Sequence, residues 1–191
     1  MTQWARHYLE IPEATRNNSD LQSRIAGLIP DRPIHGKRTQ GGTREKAARD
    51  IMIDFFDCQI EYPDAYQRVL QDLPEHQSPH AGNRQVFSSD WNEAVVRMQA
   101  VRFYNHGAFL HMKDLGYSEC YIPHSSHEDK DSECTVKLAG GTWEIDPLLD
   151  RLVERYDNEN YDTPITITSR PKCSHTPVPP DQAEDSGTLS G

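Results

Sequence analysis

The segment from Asp90 to Gly116 constrains the fold of this chain more than any other. Ala94, Met98, Val101, Ala108, Met112 and Leu115 recur at spacings of three, four and seven residues, which lines them along one side of a helix. Asp90 with Glu93 three positions later has the sequence of a capping box, and Gly116 can end the helix in a left-handed conformation. A helix of about six turns is therefore predicted over 90–115.

Shorter helices are predicted before it. Leu21, Ile25, Leu28 and Ile29 keep helical spacing after Asn17, Asn18, Ser19 and Asp20, which are good N-cap residues, and that helix should end near Pro30. From Thr43 to about Cys58, Ala47, Ala48, Ile51, Met52, Phe55 and Phe56 form an apolar stripe. Pro63 and Asp64 start another helix carrying Tyr66, Val69, Leu70 and Leu73, closed by Pro74. Pro30, Pro33, Gly36, Gly41 and Gly42 give residues 30–42 a loop composition, and this stretch reads as a mobile arm.

Beyond Gly116 the period changes. Cys120–Ile122, Thr135–Leu138, Thr142–Ile145 and Ile165–Thr168 read as short strands, with Ala139, Gly140 and Gly141 as a tight hairpin. On that hairpin Val136 and Leu138 would share one face, as would Trp143 and Ile145, with Lys137 and Glu144 opposite. Leu148–Tyr156 is amphipathic, and residues 181–191 read as a flexible acidic tail. The expected fold class is α+β: a mainly helical N-terminal half, a long central helix, then a small antiparallel β segment with a glycine hairpin. Its parts would be a helical region over 1–89, the long helix plus β segment over 90–180, and the tail.

Composition narrows the function classes. Hydrophobic residues are 35% of the 191 and mean hydropathy is -0.81, so the apolar material must be concentrated in the periodic segments of one main domain. No stretch has the roughly 18–20 consecutive apolar residues of a membrane span, and residues 1–7 lack a signal-peptide core. Cys58, Cys120, Cys134 and Cys173 are too few and too scattered for a disulfide scaffold, so a reducing compartment is expected. A net charge of -10 argues against a protein that wraps nucleic acid. Against that background Arg32, Lys37, Arg38, Arg44, Lys46 and Arg49 surround the single acid Glu45, and Arg97 and Arg102 project from the long helix. These eight are the candidate partner contacts, with a charged solvated surface as the plainer account.

Cys134, Cys173 and His175, with His127 or His124 from the polar loop, could supply the four ligands of a structural zinc. Buried free thiols and surface histidines would be the simpler explanation. The run His124, Ser125, Ser126, His127, Glu128, Asp129, Lys130, Asp131 places imidazoles beside carboxylates, as acid-base or metal chemistry requires, although such a run is commonly a solvated loop. The phosphate-binding glycine loop, the Gly-x-Ser-x-Gly elbow and the His-Glu-x-x-His helix are absent from the sequence.

The order of features from Asp90 onward resembles the C-terminal segment of phage Mu F-like head-morphogenesis proteins. Arg97, Met98 and Gln99 stand at that family's helix signature. Asp131, Ser132, Glu133 and Cys134 match its Asp-x-x-Cys block, and Leu138–Asp146 its glycine hairpin. Arg170, Pro171, Lys172, Cys173, Ser174 and His175, followed by Pro177 and Val178, match its closing block. The match covers residues 90–180. Gln99 replaces a glutamate, Lys137 a second cysteine, Arg170 a histidine and His175 the last cysteine. The resemblance implies a non-enzymatic minor head component in the virion, assembled in the host cytoplasm. Its partners would be portal and capsid proteins, with possible contact to packaged DNA and none to membrane. A zinc-dependent nuclease-like enzyme is the alternative, and a host-cell adaptor a third reading.

Overall fold

A computed structural model describes residues 3–34 and 36–185 of the chain. It is an α+β protein in which helices dominate and a two-stranded antiparallel sheet is the only sheet among the described residues. In chain order the helices are α1 (Ile11–Asn17), α2 (Ser19–Leu28), α3 (Arg44–Phe56), α4 (Tyr62–Asp72), α5 (Trp91–Asp114), α6 (Glu133–Lys137) and α7 (Ile145–Tyr156). The strands are β1 (Glu119–Ile122) and β2 (Gly141–Glu144).

The periodic segments form the expected helices. The Asn18 side chain accepts a hydrogen bond from the Leu21 amide and caps α2, and Gly116 at φ +89° ends α5 in the left-handed region. The capping box, however, is at Glu61 and Asp64 of α4, not at Asp90 and Glu93. Asp90 instead accepts from Ser88 Oγ at 2.9 Å and pairs with Lys172, which ties the start of α5 to the end of the chain.

The single apolar stripe expected on α5 is also too narrow a description. Val95, Val96, Ala100, Val101, Phe103, Tyr104, Ala108, Phe109 and Met112 are buried around its circumference, together with Gln99, Arg102 and Asn105. Other elements surround it, with α2 lying closest. At Gly107 a Cβ would come within 2.4 Å of Ile25 Cγ1, so the missing side chain sets the approach of the two helices. One continuous apolar core runs from Trp4 to Val178 around α5 and includes residues of both halves of the sequence.

The β segment departs most from expectation. β1 and β2 pair antiparallel with Cys120 opposite Trp143, but Thr135–Leu138 is no strand. Ser132 caps it as the helix α6, its side chain accepting from the Thr135 amide, which leaves Val136 71% exposed and Leu138 3% exposed. The glycine hairpin is therefore a helix-to-strand turn, folded back so that the Gly140 amide donates to Ile122 O at 2.7 Å. Trp143 and Ile145 do not share a face, because Ile145 already begins α7. Ile165–Thr168 forms no ladder either. The other side of β1 is taken by Val178, which exchanges two backbone hydrogen bonds with Tyr121 at 2.8 and 2.9 Å.

Residues 30–34 and 36–42 are irregular, as predicted, but they are fastened rather than free. Arg38 Nε donates to Val86 O at 2.7 Å, Thr39 is buried, and Arg49 Nη1 donates to Arg32 O at 2.7 Å. Of the expected tail, Pro180–Asp185 forms a 3-10 turn whose Gln182 carbonyl accepts from Arg6 at 2.7 Å. Residues 186–191 lie outside the described residues.

Candidate metal centre

Three of the four expected zinc ligands meet. Cys134 lies near the start of α6, while Cys173 and His175 lie on the segment that follows Pro171. That segment is gripped from two sides. The Tyr8 amide donates to Ser174 O at 3.1 Å and Thr176 Oγ1 donates to Ala5 O at 2.6 Å. From α5, Asn105 Nδ2 donates to His175 O at 3.1 Å and Arg97 Nε to Cys173 O at 3.4 Å.

The Cys134 and Cys173 sulfurs are 3.9 Å apart, and Cys173 Sγ is 3.7 Å from His175 Nδ1. All three donor atoms lie within 4.8 Å of one another, and all three residues are buried. A zinc ion bound at about 2.3 Å to sulfur and 2.0 Å to nitrogen in tetrahedral geometry sets ligand–ligand edges of roughly 3.5–3.8 Å. The sulfur–sulfur and Cys173–His175 separations fit that geometry. No redox bond links the thiols in this arrangement, and all four cysteines are free.

The remaining nitrogen of the imidazole fits equally well. His175 Nε2 lies 2.9 Å from Glu128 Oε2, and Glu128 also accepts from the Ser125 amide at 3.0 Å and contacts His124 Nδ1 at 2.9 Å. A carboxylate on the far side of a histidine fixes its orientation and leaves the near nitrogen for the metal. Beside the three ligands a cavity of about 50 Å³ is lined by Asp129, Ser132, Arg170 and Lys172. It has room for a water molecule as a fourth ligand.

Electrostatics favour the thiolate at one of the three residues, Cys134. A hydrogen bond from Cys173 lowers the Cys134 pKa, burial opposes this, and His175, Ser132 and Ser169 reinforce it, so the net shift is downward. The Cys173 pKa moves upward beside that thiolate. Burial lowers the His175 pKa, but Cys134 and Glu128 outweigh it and the net shift is upward. The cluster thus favours one thiolate, at Cys134, and the protonated forms of Cys173 and His175; a bound zinc ion would displace those two protons, so its affinity should rise with pH.

His127 is a correction. Its ring sits against His7 and Tyr8, with centroids 5.3 and 5.9 Å away, and it takes no part in the cluster. Glu128, read from the sequence only as part of the polar run, and Ser132, read only as part of the Asp-x-x-Cys block, are the further participants. Cys58 lies half-buried after α3, and Cys120 is enclosed in β1 with its thiol pKa pushed up to about 12 by burial.

The candidate partner contacts scatter. Arg44 is wholly buried, donating to the carbonyls of Leu73, Pro74 and Arg38. Arg102 is 3% exposed, donates to Pro33 O and packs on Phe103 and Tyr156, with burial lowering its pKa to about 10. Neither can meet a partner while the chain is folded. Arg97 is half-buried with its guanidinium 3.9 Å from the Tyr8 ring centroid. Arg32 pairs with Asp157 at 2.5 Å, Arg49 with Glu45 at 3.1 Å and Lys46 with Asp50 at 2.6 Å. Lys37 and Lys46 are exposed, so the basic patch of the sequence is in large part a set of carbonyl and carboxylate clamps.

No protein-family model, curated protein or solved structure matches the chain.

Proposed function

We propose that the chain is a minor head protein of a phage particle, acting in head morphogenesis, with a C-terminal half clamped by a zinc ion at Cys134, Cys173 and His175. The observation that carries this reading is the meeting of two sequence blocks. Asp131–Cys134 and Arg170–His175 match separate motifs of the head-morphogenesis resemblance, and their metal-binding side chains converge in one buried cluster. Lys137 stands where the resemblance has another cysteine, and it points away, pairing with Glu133 on the outside of α6. The site is then a three-ligand variant in which His175 substitutes for a cysteine. Such a metal would join α6 to the chain end and so stabilise a region with little sheet of its own.

Mass spectrometry of purified particles tests the assignment. The expected result is this chain at low stoichiometry to the major capsid protein, and its absence from intact particles would overturn the reading. Elemental analysis should find about one zinc per chain.

A second reading, a zinc-dependent nuclease-like enzyme, is favoured by one feature. The small cavity on the three ligands is also lined by Arg170 and Lys172, which could draw a phosphate toward a metal-bound water. Metal-dependent cleavage of DNA by the purified chain, abolished by Cys173→Ala, would select it.

A further inference from the structure

A second pocket opens on the other side of the closing segment. It has a volume of about 450 Å³ and lies between α6, α7 and the irregular residues 161–170. That volume is within the roughly 300–1,000 Å³ typical of small-molecule sites. Its lining is polar and cationic in a chain of net charge -10: Lys137, Arg155 and Arg170 against the single acid Glu133.

The charges are unevenly compensated. Glu133 is engaged by Lys137, whereas Arg155 and Arg170 have no carboxylate partner among the described residues. Arg155 is nevertheless held in place. It donates to Ser169 O at 2.7 Å and Tyr161 O at 3.4 Å, and its guanidinium sits 5.4 Å from the Tyr161 ring centroid. Carbonyls orient this cation without neutralising it, so its charge remains available to an anion. Thr163 adds a hydroxyl that is buried, lines the pocket and has no hydrogen-bond partner among the described residues. A buried hydroxyl without a partner is unfavourable unless something else bonds to it. Tyr161 is 51% exposed, an aromatic face at the rim of a cationic pocket.

We propose that this pocket binds a nucleoside phosphate. Arg155 and Arg170 receive the phosphate, Thr163 Oγ1 hydrogen-bonds to one of its oxygens, and the base stacks on Tyr161. Guanidinium groups suit phosphate because their planar forks match its oxygens, and stacking on an aromatic ring is tolerant of base identity. The same chemistry could come from a free mononucleotide or from the 5′-phosphorylated end of a strand. The inference does not depend on the assembly role or on the metal.

Calorimetric titration of the full chain tests it with adenosine 5′-monophosphate, adenosine, and an oligothymidylate with and without a 5′-phosphate. Arg170→Glu is the main variant because Arg170 is exposed, and it is run beside Arg155→Gln because Arg170 also lines the small cavity at Cys134, Cys173 and His175 whereas Arg155 lines this pocket and not that cavity. Thr163→Val is the third. Binding of the mononucleotide, weakened at least about tenfold by Arg170→Glu, weakened also by Arg155→Gln and more mildly by Thr163→Val, is the expected result and identifies a free nucleotide as the source. Binding confined to the 5′-phosphorylated strand, with the same sensitivity, supports the pocket and identifies a strand end. Adenosine binding as tightly as its monophosphate would overturn the proposal. So would an affinity that Arg170→Glu or Arg155→Gln leaves unchanged, or no binding by any of the four probes.

Discussion

Replacing Arg44 by Met separates a structural cation from a docking cation. In the folded chain the guanidinium donates to the carbonyls of Leu73, Pro74 and Arg38, and it lies 5.3 and 5.7 Å from the rings of Phe87 and Trp91. It thereby joins the first turn of α3, the end of α4, the 30–42 loop and the entry to α5. Each hydrogen bond to a charged donor is worth about 1.5–3 kcal/mol, and ring contacts with a cation add about 1 kcal/mol. Removing the buried charge relieves its desolvation, and Met recovers part of the apolar packing, so the net loss should be about 3 kcal/mol rather than the sum. With a urea slope of about 2 kcal/mol/M, the unfolding midpoint should fall by about 1.5 M. Lys46→Met is the control. Lys46 is exposed and paired with Asp50 one turn away, so its loss should cost no more than about 0.5 kcal/mol and its midpoint should stay within about 0.25 M of the parent. If Arg44→Met unfolds at the parent's midpoint with an unchanged slope, the side chain is not the clamp described here.

Three further outcomes are expected. Removing metal with a chelator, or substituting Cys134→Ser or Cys173→Ser, should raise amide exchange across 119–144 and 165–178 while α5 stays protected; metal-free protein with full protection throughout would remove the zinc clamp. Gly107→Ala should destabilise by about 1–3 kcal/mol, read as a lower urea midpoint, because Ile25 is fully buried and has nowhere to move from the new methyl group. The His106 pKa is lowered to about 4, first by burial and then by Arg32 and Arg102, so the unfolded chain binds the extra proton. Stability is therefore fully present above about pH 6.5 and should fall by about 3 kcal/mol as pH drops to 4, a slope that His106→Leu should flatten in pH-dependent denaturation.

The helices were legible because their signals are local. Asn18 before Leu21, Pro63 near the start of α4 and Gly116 after α5 each act within one turn of the residues they control. The strands were not, because a short apolar run is decided by what is available to pair with it. Thr135–Leu138 has strand composition, but Ser132 stands three residues ahead and offers its side chain to the Thr135 amide. Ile165–Thr168 alternates as a strand should, yet β1 is covered by β2 on one side and bridged by Val178 on the other. The Ile165–Thr168 polar groups turn elsewhere, with Thr166 Oγ1 donating to Leu148 O and Tyr156 Oη to Thr168 O. The basic cluster misled for a related reason. Composition shows that Arg44 and Arg102 are charged, but only the packing shows that carbonyl groups need those charges inside.

The candidate site was legible in its ligands and not in its support. Cys134, Cys173 and His175 were visible as metal-binding residue types, whereas His127 looked a better companion to them than Glu128 because an imidazole is a ligand and the glutamate could be any surface acid. The structure reverses the two. His127 faces His7 and Tyr8, while Glu128 holds His175 Nε2 at 2.9 Å across 47 residues of sequence. This makes a pair of substitutions decisive about how the loop serves the site. His127→Ala should leave zinc content and affinity unchanged, since no donor atom is removed. Glu128→Gln keeps the size of the side chain but takes away the charge that orients the imidazole and raises its basicity, and outer carboxylates of this kind are worth about 10–100-fold in metal affinity. Competition with a zinc-binding dye reads both variants on the same scale. A loss in His127→Ala with none in Glu128→Gln would mean that the loop supplies a ligand directly, and that the hydrogen bond from His175 to Glu128 is not what selects Nδ1 for the metal.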